Sequence, residues 1–269
     1  MKSFDKLKES IKKADSMLCV GLDSDINKIP SCFKKDVNGL FDFNKCIIET
    51  TKDVAVAYKI NFAFYEQYGT EGFDLLKKTF DLIPKNTFTI ADAKRGDIGN
   101  TSAAYAKAVF EYFNADSITV NPYMGIDSIE PFLKDLNKFV FILALTSNPG
   151  SNDFQRIVAD KKPVYQHVIE KAADKYSEEN IGFVVGATHP GELAQIRKII
   201  PNYTFLIPGI GAQGGNIKEV LKANNNGLAV INVSRAVLYP ELKENNIDEL
   251  AFAEAVRQKA CMFYNDMKL

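Results

Sequence analysis

The strongest limit on what this chain can fold into is an alternation of apolar runs of strand length with segments of helical period. The runs are residues 17–22, 54–60, 88–93, 117–120, 139–145, 181–187, 203–207 and 228–233. Residues 43–53 carry Ile47 and Ile48, and residues 72–82 carry Phe73, Leu76 and Phe80 at helical spacing. The same period recurs in 102–113, 126–136, 163–176, 191–200, 217–223 and 247–264. Runs without polar alternation are buried on both faces, and with intervening helices they imply a parallel sheet. Eight such units in 269 residues approach the roughly 250 residues of a (β/α)8 TIM barrel, an α/β fold. The competing doubly wound sheet would place G-x-G-x-x-G after the first run. Gly21-Leu22-Asp23-Ser24-Asp25 stands there instead.

No stretch rich in Gly, Ser or Pro interrupts the pattern, so one barrel domain over residues 1–269 is expected. Phe4, Leu7 and Ile11 predict an N-terminal amphipathic helix over about 3–14. Two connections, 24–40 and 148–162, are long and belong at the C-terminal face of the barrel. Each is either a tolerated surface insertion or a lid. Thr146-Ser147-Asn148 at the mouth of the fifth strand favours the second as a lid.

Charge excludes some partners. Lys and Arg number 33 and Asp and Glu 34, a formal net charge of -1, which gives no support for a nucleic-acid partner. Cys19, Cys32, Cys46 and Cys261 have no metal-ligand or C-x-x-C spacing, and His167 and His189 are far apart. No metal site is expected, and Cys19 should be a buried small hydrophobe. Residues 1–16 lack the apolar stretch of a secretory signal, and the longest apolar run, Phe139–Leu145, is far short of a membrane span. A cytoplasmic setting is expected.

Chemistry concentrates where the third run ends, in Asp92-Ala93-Lys94-Arg95-Gly96-Asp97-Ile98-Gly99-Asn100-Thr101. If the strand continues through Asp92 and Lys94, both side chains leave on one face. In isolation the two read as a structural ion pair, with Asp97 a cap for the next helix and Gly96 easing the turn. Other strand ends change that balance. Asp23 follows strand one, Lys59 and Asn61 end strand two, Asn121 ends strand four, Thr146 and Ser147 end strand five, and Ser234-Arg235 end strand eight. In a barrel these ends meet at one mouth. After strand seven comes Pro208-Gly209-Ile210-Gly211-Ala212-Gln213-Gly214-Gly215. Its glycines let backbone N–H groups approach a phosphate, at the place where barrels commonly bind one. Arg235 in the neighbouring loop would add a charge-assisted contact.

These residues carry a resemblance. Asp92-Ala93-Lys94-Arg95-Gly96-Asp97 resembles the D-x-K-x-x-D signature of the orotidine 5′-monophosphate decarboxylase family. The similarity extends to Val20-Gly21-Leu22-Asp23, Tyr58-Lys59-Ile60-Asn61, the glycine loop and Ser234-Arg235, in order across nearly the whole chain. D-x-K-x-x-D alone is shared with relatives acting on sugar phosphates. Lys59, Ser147 and the glycine loop narrow it to the decarboxylase.

The resemblance implies conversion of orotidine 5′-phosphate to UMP, the last step of de novo pyrimidine synthesis, with no metal and no organic cofactor. Lys94 would protonate C6, and Asp92 would lie beside the departing carboxylate. Lys59 and Asp97 would complete an alternating set of two cations and two anions. The resemblance further implies a homodimer in which Asp97, Ile98 and Thr101 reach the partner's site. Asp23 and Lys59 would bind ribose hydroxyls, Ser147 the pyrimidine edge, and Gln213 and Arg235 the phosphate. Asn61, Gly214 and Ser234 join them as substrate-binding candidates. The rival readings are a Mg2+-dependent sugar-phosphate lyase or aldolase of the same superfamily, and a non-catalytic nucleotide-binding barrel.

Overall fold

Strands form where both faces of an apolar run find cover. Ile181–Val185 and Ala229–Val233, for example, are buried at every position, as expected of strands walled by helices outside and packed side chains inside. A computed structural model describes residues 1–211, 214–242 and 247–268. Among them the barrel strands are β1 (Leu18–Gly21), β2 (Ala57–Asn61), β3 (Phe88–Arg95), β4 (Ser117–Val120), β5 (Phe139–Leu145), β6 (Ile181–Val185), β7 (Thr204–Pro208) and β8 (Ala229–Val233). Each pairs in parallel with the next, and β8 pairs with β1, so the sheet closes. All eight expected runs are barrel strands.

The α-helices of eight or more residues are α1 (Ser3–Ala14), α2 (Val37–Thr51), α3 (Gly69–Leu82), α4 (Gly99–Lys107), α5 (Val164–Lys175), α6 (Pro190–Ile199), α7 (Ile217–Asn224) and α8 (Glu249–Asp266). α1 is where its apolar spacing predicts, and it closes one end of the barrel. Phe4, Leu7 and Ile11 pack on Phe88 and Phe139, which begin β3 and β5. Lys6 pairs with Asp116 at 2.7 Å just before β4, which sets α1 against that rim. The opposite, C-terminal rim is therefore the open one.

Three expectations change. The helix expected over 126–136 is two 3-10 turns, Ile126–Ser128 and Glu130–Leu133. Pro131 removes a backbone donor in the middle of that span, so the apolar spacing there is served by short turns. The connection 24–40 is shorter than expected, because α2 begins at Val37, where the Asp36 carboxylate accepts from Gly39 N at 2.8 Å. The connection 148–162 has local structure of its own. It holds a 3-10 turn, Pro149–Asn152, and a small antiparallel hairpin joining Val158–Ala159 to Lys162–Pro163. The Gln155 amide fastens it to Thr146, with Oε1 accepting from Thr146 N at 2.8 Å and Nε2 donating to Thr146 Oγ1 at 2.9 Å. Arg156 pairs with Glu192 of α6.

Candidate active site

At the open rim the strand registers bring charged residues from three neighbouring strands together. Gly21 is opposite Lys59, and Asn61 is opposite Asp92. The outcome is one row of alternating charge. Lys59 Nζ lies 3.3 Å from Asp23 Oδ1 and 2.8 Å from Asp92 Oδ2, while Lys94 Nζ lies 2.6 Å from Asp92 Oδ1. Lys59 and Asp92 are only 4% and 8% exposed, whereas the Lys94 side chain is 49% exposed. Burial alone would strip the charge from Lys59. The carboxylates of Asp23 and Asp92 outweigh it and hold the ammonium above its ordinary value. Burial would likewise raise Asp92, but the ammonium groups of Lys59 and Lys94 hold its carboxyl well below the usual range. Both groups are charged at neutral pH. Beneath them the Cys19 thiol is pushed up to about 12 by burial and stays neutral.

The strand does not run regularly through Lys94, as a simple alternation would have it. β3 and β4 pair at Ala91 with Ile118 and next at Arg95 with Val120. Asp92, Ala93 and Lys94 thus face Thr119 alone, in a bulge. Lys94 has φ 47°, in the left-handed region. Its N–H donates to Thr119 Oγ1 at 3.0 Å, and the same hydroxyl donates to Asp92 Oδ1 at 2.9 Å. Gly96 has a different role from the expected one. Its φ is not positive, but a Cβ there would lie 2.7 Å from the Asn121 carbonyl oxygen.

The row forms one wall of a cavity of about 300 Å³. Thr146, Ser147 and Asn148 line it from the β5 mouth, and Pro208, Gly209 and Ile210 from β7. Gly209, Gly211 and Gly214 have φ of 109°, 78° and 84°. Such values suit glycine, and they fold the loop back so that Gly215 N donates to Gly209 O at 3.1 Å. Ser234 and Arg235 line the cavity beside this loop. The glycine at position 21 is explained here too, since a Cβ on it would lie 2.0 Å from Ser234 Oγ. Ser234 Oγ also accepts from Asn232 Nδ2 at 3.1 Å.

Asp23, Lys59, Asn61, Asp92, Lys94, Ser147, Ser234 and Arg235 therefore share one cavity. Asp97, Ile98, Thr101 and Gly214 are not among its lining residues, and Gln213 lies outside the described residues. The Asp97 carboxylate accepts from Ile98 N at 2.8 Å, and α4 has no side-chain cap, so Asp97 does not cap the next helix. Asn121 turns away, its side chain accepting from Tyr123 N. Two polar residues that line the cavity were passed over in the sequence, Thr119 and Asn232. The available signal was a polar side chain one residue short of the C-terminal end of its strand.

Comparisons with known proteins bear on the family and the fold. Residues 16–249 match the sequence model of the "Orotidine 5'-phosphate decarboxylase / HUMPS family". The chain is 49% identical over 268 residues to an orotidine 5'-phosphate decarboxylase of Christiangramia forsetii, covering 97% of this chain and 96% of the relative. Among solved structures, Leishmania donovani OMP decarboxylase superposes with a TM-score of 0.82 at 38% identity, covering 98% of this chain and all of that one. Leishmania donovani UMP synthase superposes with a TM-score of 0.84 at 39% identity over 98% of this chain, which spans 57% of that longer protein. The chain thus belongs to the orotidine 5'-phosphate decarboxylase / HUMPS family.

Proposed function

We propose that the protein decarboxylates orotidine 5′-monophosphate to UMP, using Asp23, Lys59, Asp92 and Lys94 as its working row. The observation that carries this reading is the alternation of charge at the cavity wall, buried at Lys59 and Asp92. The C6–carboxylate bond breaks, CO2 leaves, and the electron pair stays on C6. The half-exposed Lys94 ammonium, fixed 2.6 Å from Asp92, gives C6 a proton and regains one from solvent. Asp92 would meet the substrate carboxylate, so that its charge would disfavour the bound acid and be relieved as CO2 departs. Lys59 keeps Asp92 ionised and, with Asp23, would bind the ribose hydroxyls.

The rest of the cavity would receive the remaining parts of the substrate. The glycine turn and Arg235 would take the phosphate, and Gln213, Gly214 and Ser234 would contribute to its binding. Ser147 would meet the pyrimidine edge, and Asn61 would support the ribose end. Remote phosphate binding then helps assemble the reacting centre.

The reading includes a homodimer in which Asp97, Ile98 and Thr101 complete the partner's site. Ile98 is 55% exposed beyond its own cavity. Nearby, exposed Tyr123, Phe154 and Ile157 line an apolar groove of about 630 Å³, a surface suited to burial against a second copy.

The test is the purified protein with orotidine 5′-monophosphate in EDTA. Formation of UMP and CO2 is expected. No turnover in EDTA, with sugar-phosphate cleavage restored by Mg2+, would replace this reading with the lyase.

A further inference from the structure

We propose that Thr119 is a positioning residue for the decarboxylation, its hydroxyl setting both the left-handed backbone of Lys94 and the orientation of the Asp92 carboxylate. The inference rests on the decarboxylase reading and goes a step beyond it.

The argument begins with the bulge. Between the Ala91–Ile118 and Arg95–Val120 pairs, β4 offers only Thr119 to the three intervening residues of β3. A regular ladder would have given the Lys94 N–H a backbone carbonyl. The Thr119 hydroxyl takes that place at 3.0 Å. An N–H can only donate, so the hydroxyl accepts there and its own proton is left to donate. An ionised carboxylate can only accept, and Asp92 Oδ1 receives that proton at 2.9 Å. Thr119 is 1% exposed, so water cannot readily take over either bond. One hydroxyl, with its direction fixed at both ends, therefore ties the main chain of the proposed acid to the carboxylate beside it.

The consequence concerns the moment of proton transfer. Asp92 Oδ1 accepts from both Lys94 Nζ and Thr119 Oγ1, and Oδ2 accepts from Lys59 Nζ. When Lys94 gives up its proton, the Oδ1 side loses a cation. The Thr119 donor remains and keeps the carboxylate from turning. Before that step it favours the ionised form of Asp92. The other groups facing Asp92 are Lys59 from β2, Lys94 on its own strand, Asp23 beyond Lys59, the neutral Cys19 thiol of β1, and Arg235 across the cavity. β4 adds no ionisable group there.

The test compares wild type with Thr119→Val, Thr119→Cys and Thr119→Ser. Valine keeps the branched shape and removes both bonds. Cysteine keeps a similar volume with a weak donor and acceptor, so it serves if the valine variant fails to fold. Serine restores the hydroxyl. The expected result is a fall in kcat of roughly tenfold to a hundredfold for valine or cysteine, a factor typical of misplacing a reacting group, with KM changing far less. Serine should return kcat to near wild type. Valine or cysteine variants with an unchanged kcat, or with a loss confined to KM, or a serine variant no better than valine, would overturn the proposal. A wild type inert on the substrate would instead overturn the decarboxylase reading, and this proposal with it.

Discussion

Lys94 Nζ sits 2.6 Å from Asp92 Oδ1 although the Lys94 backbone occupies a left-handed conformation at φ 47°. Left-handed backbone costs an L residue about 1 kcal/mol. The side chain is aimed at Asp92 from a conformation its own stereochemistry disfavours, so stability is given up at the position proposed to do the chemistry.

Substitution separates the two effects. Lys94→Gly and Lys94→Ala both remove the ammonium and should both abolish turnover. Glycine tolerates positive φ, so Lys94→Gly should be more stable than Lys94→Ala by about 1 kcal/mol. Urea unfolding of the two inactive variants checks this. Equal midpoints would mean that the strain is not paid at this residue.

The buried pair of Lys59 and Asp92 predicts a pH dependence on both sides of neutrality. Asp92 is held below its ordinary value, so the folded state binds that proton less readily than the unfolded chain. Its stabilisation is present in full above the unfolded value of about 4 and is lost as pH falls toward the folded value. Lys59 is held above its ordinary value. Its stabilisation is present in full below about pH 10 and is lost as pH rises through the folded value. Asp92→Asn should cost about 3 kcal/mol at neutral pH, because Lys59 keeps only Asp23. The same variant should flatten the loss of stability below pH 4. Denaturant midpoints measured against pH decide it, and an unchanged acid-side slope in Asp92→Asn would count against the pairing.

Gly21 and Ser234 occupy one space. With a Cβ only 2.0 Å from Ser234 Oγ, Gly21→Ala should displace the hydroxyl, break its bond to Asn232, and raise KM by roughly tenfold, the value of one hydrogen bond. Adding Ser234→Ala should cost little more than Gly21→Ala alone, since both act on one group. Additive losses in that double-mutant cycle would show that the two residues act separately.

The barrel was readable from the chain because burial on both faces writes itself as uninterrupted apolar runs. Ile181–Val185 and Ala229–Val233 needed no more than that. α1 was equally plain, since Phe4, Leu7 and Ile11 share one helical face. Asp23, Lys59, Asp92, Lys94 and Arg235 could be placed at one mouth once the fold was known, because each follows or ends a strand. What the sequence hid was irregular. A regular strand model puts Asp92 and Lys94 on one face by alternation, whereas the structure uses a bulge and a positive φ. Thr119 was overlooked because threonine is at home in any strand. The 3-10 turns at 126–133 kept a helical apolar spacing while Pro131 prevented the helix.

A shared site makes a specific prediction about mixing. Lys94→Ala and Asp97→Ala homodimers should each be inactive. When their subunits exchange, each mixed dimer holds one site with both changes and one with neither. Random exchange should therefore restore about a quarter of wild-type activity, as closed two-fold assembly requires. No recovery after demonstrated subunit exchange would show that Asp97 serves its own chain or none.

The measurement that bears most directly on the account is turnover of orotidine 5′-monophosphate, followed by its absorbance, for wild type and Lys94→Ala, with UMP binding measured for both. Rapid conversion by the wild type, near-complete loss in Lys94→Ala, and UMP affinity retained within a few-fold are predicted, because the ammonium acts on C6 while phosphate and ribose are held elsewhere. Substantial turnover in Lys94→Ala, or a loss of UMP binding as large as the loss of turnover, would contradict Lys94 as the acid.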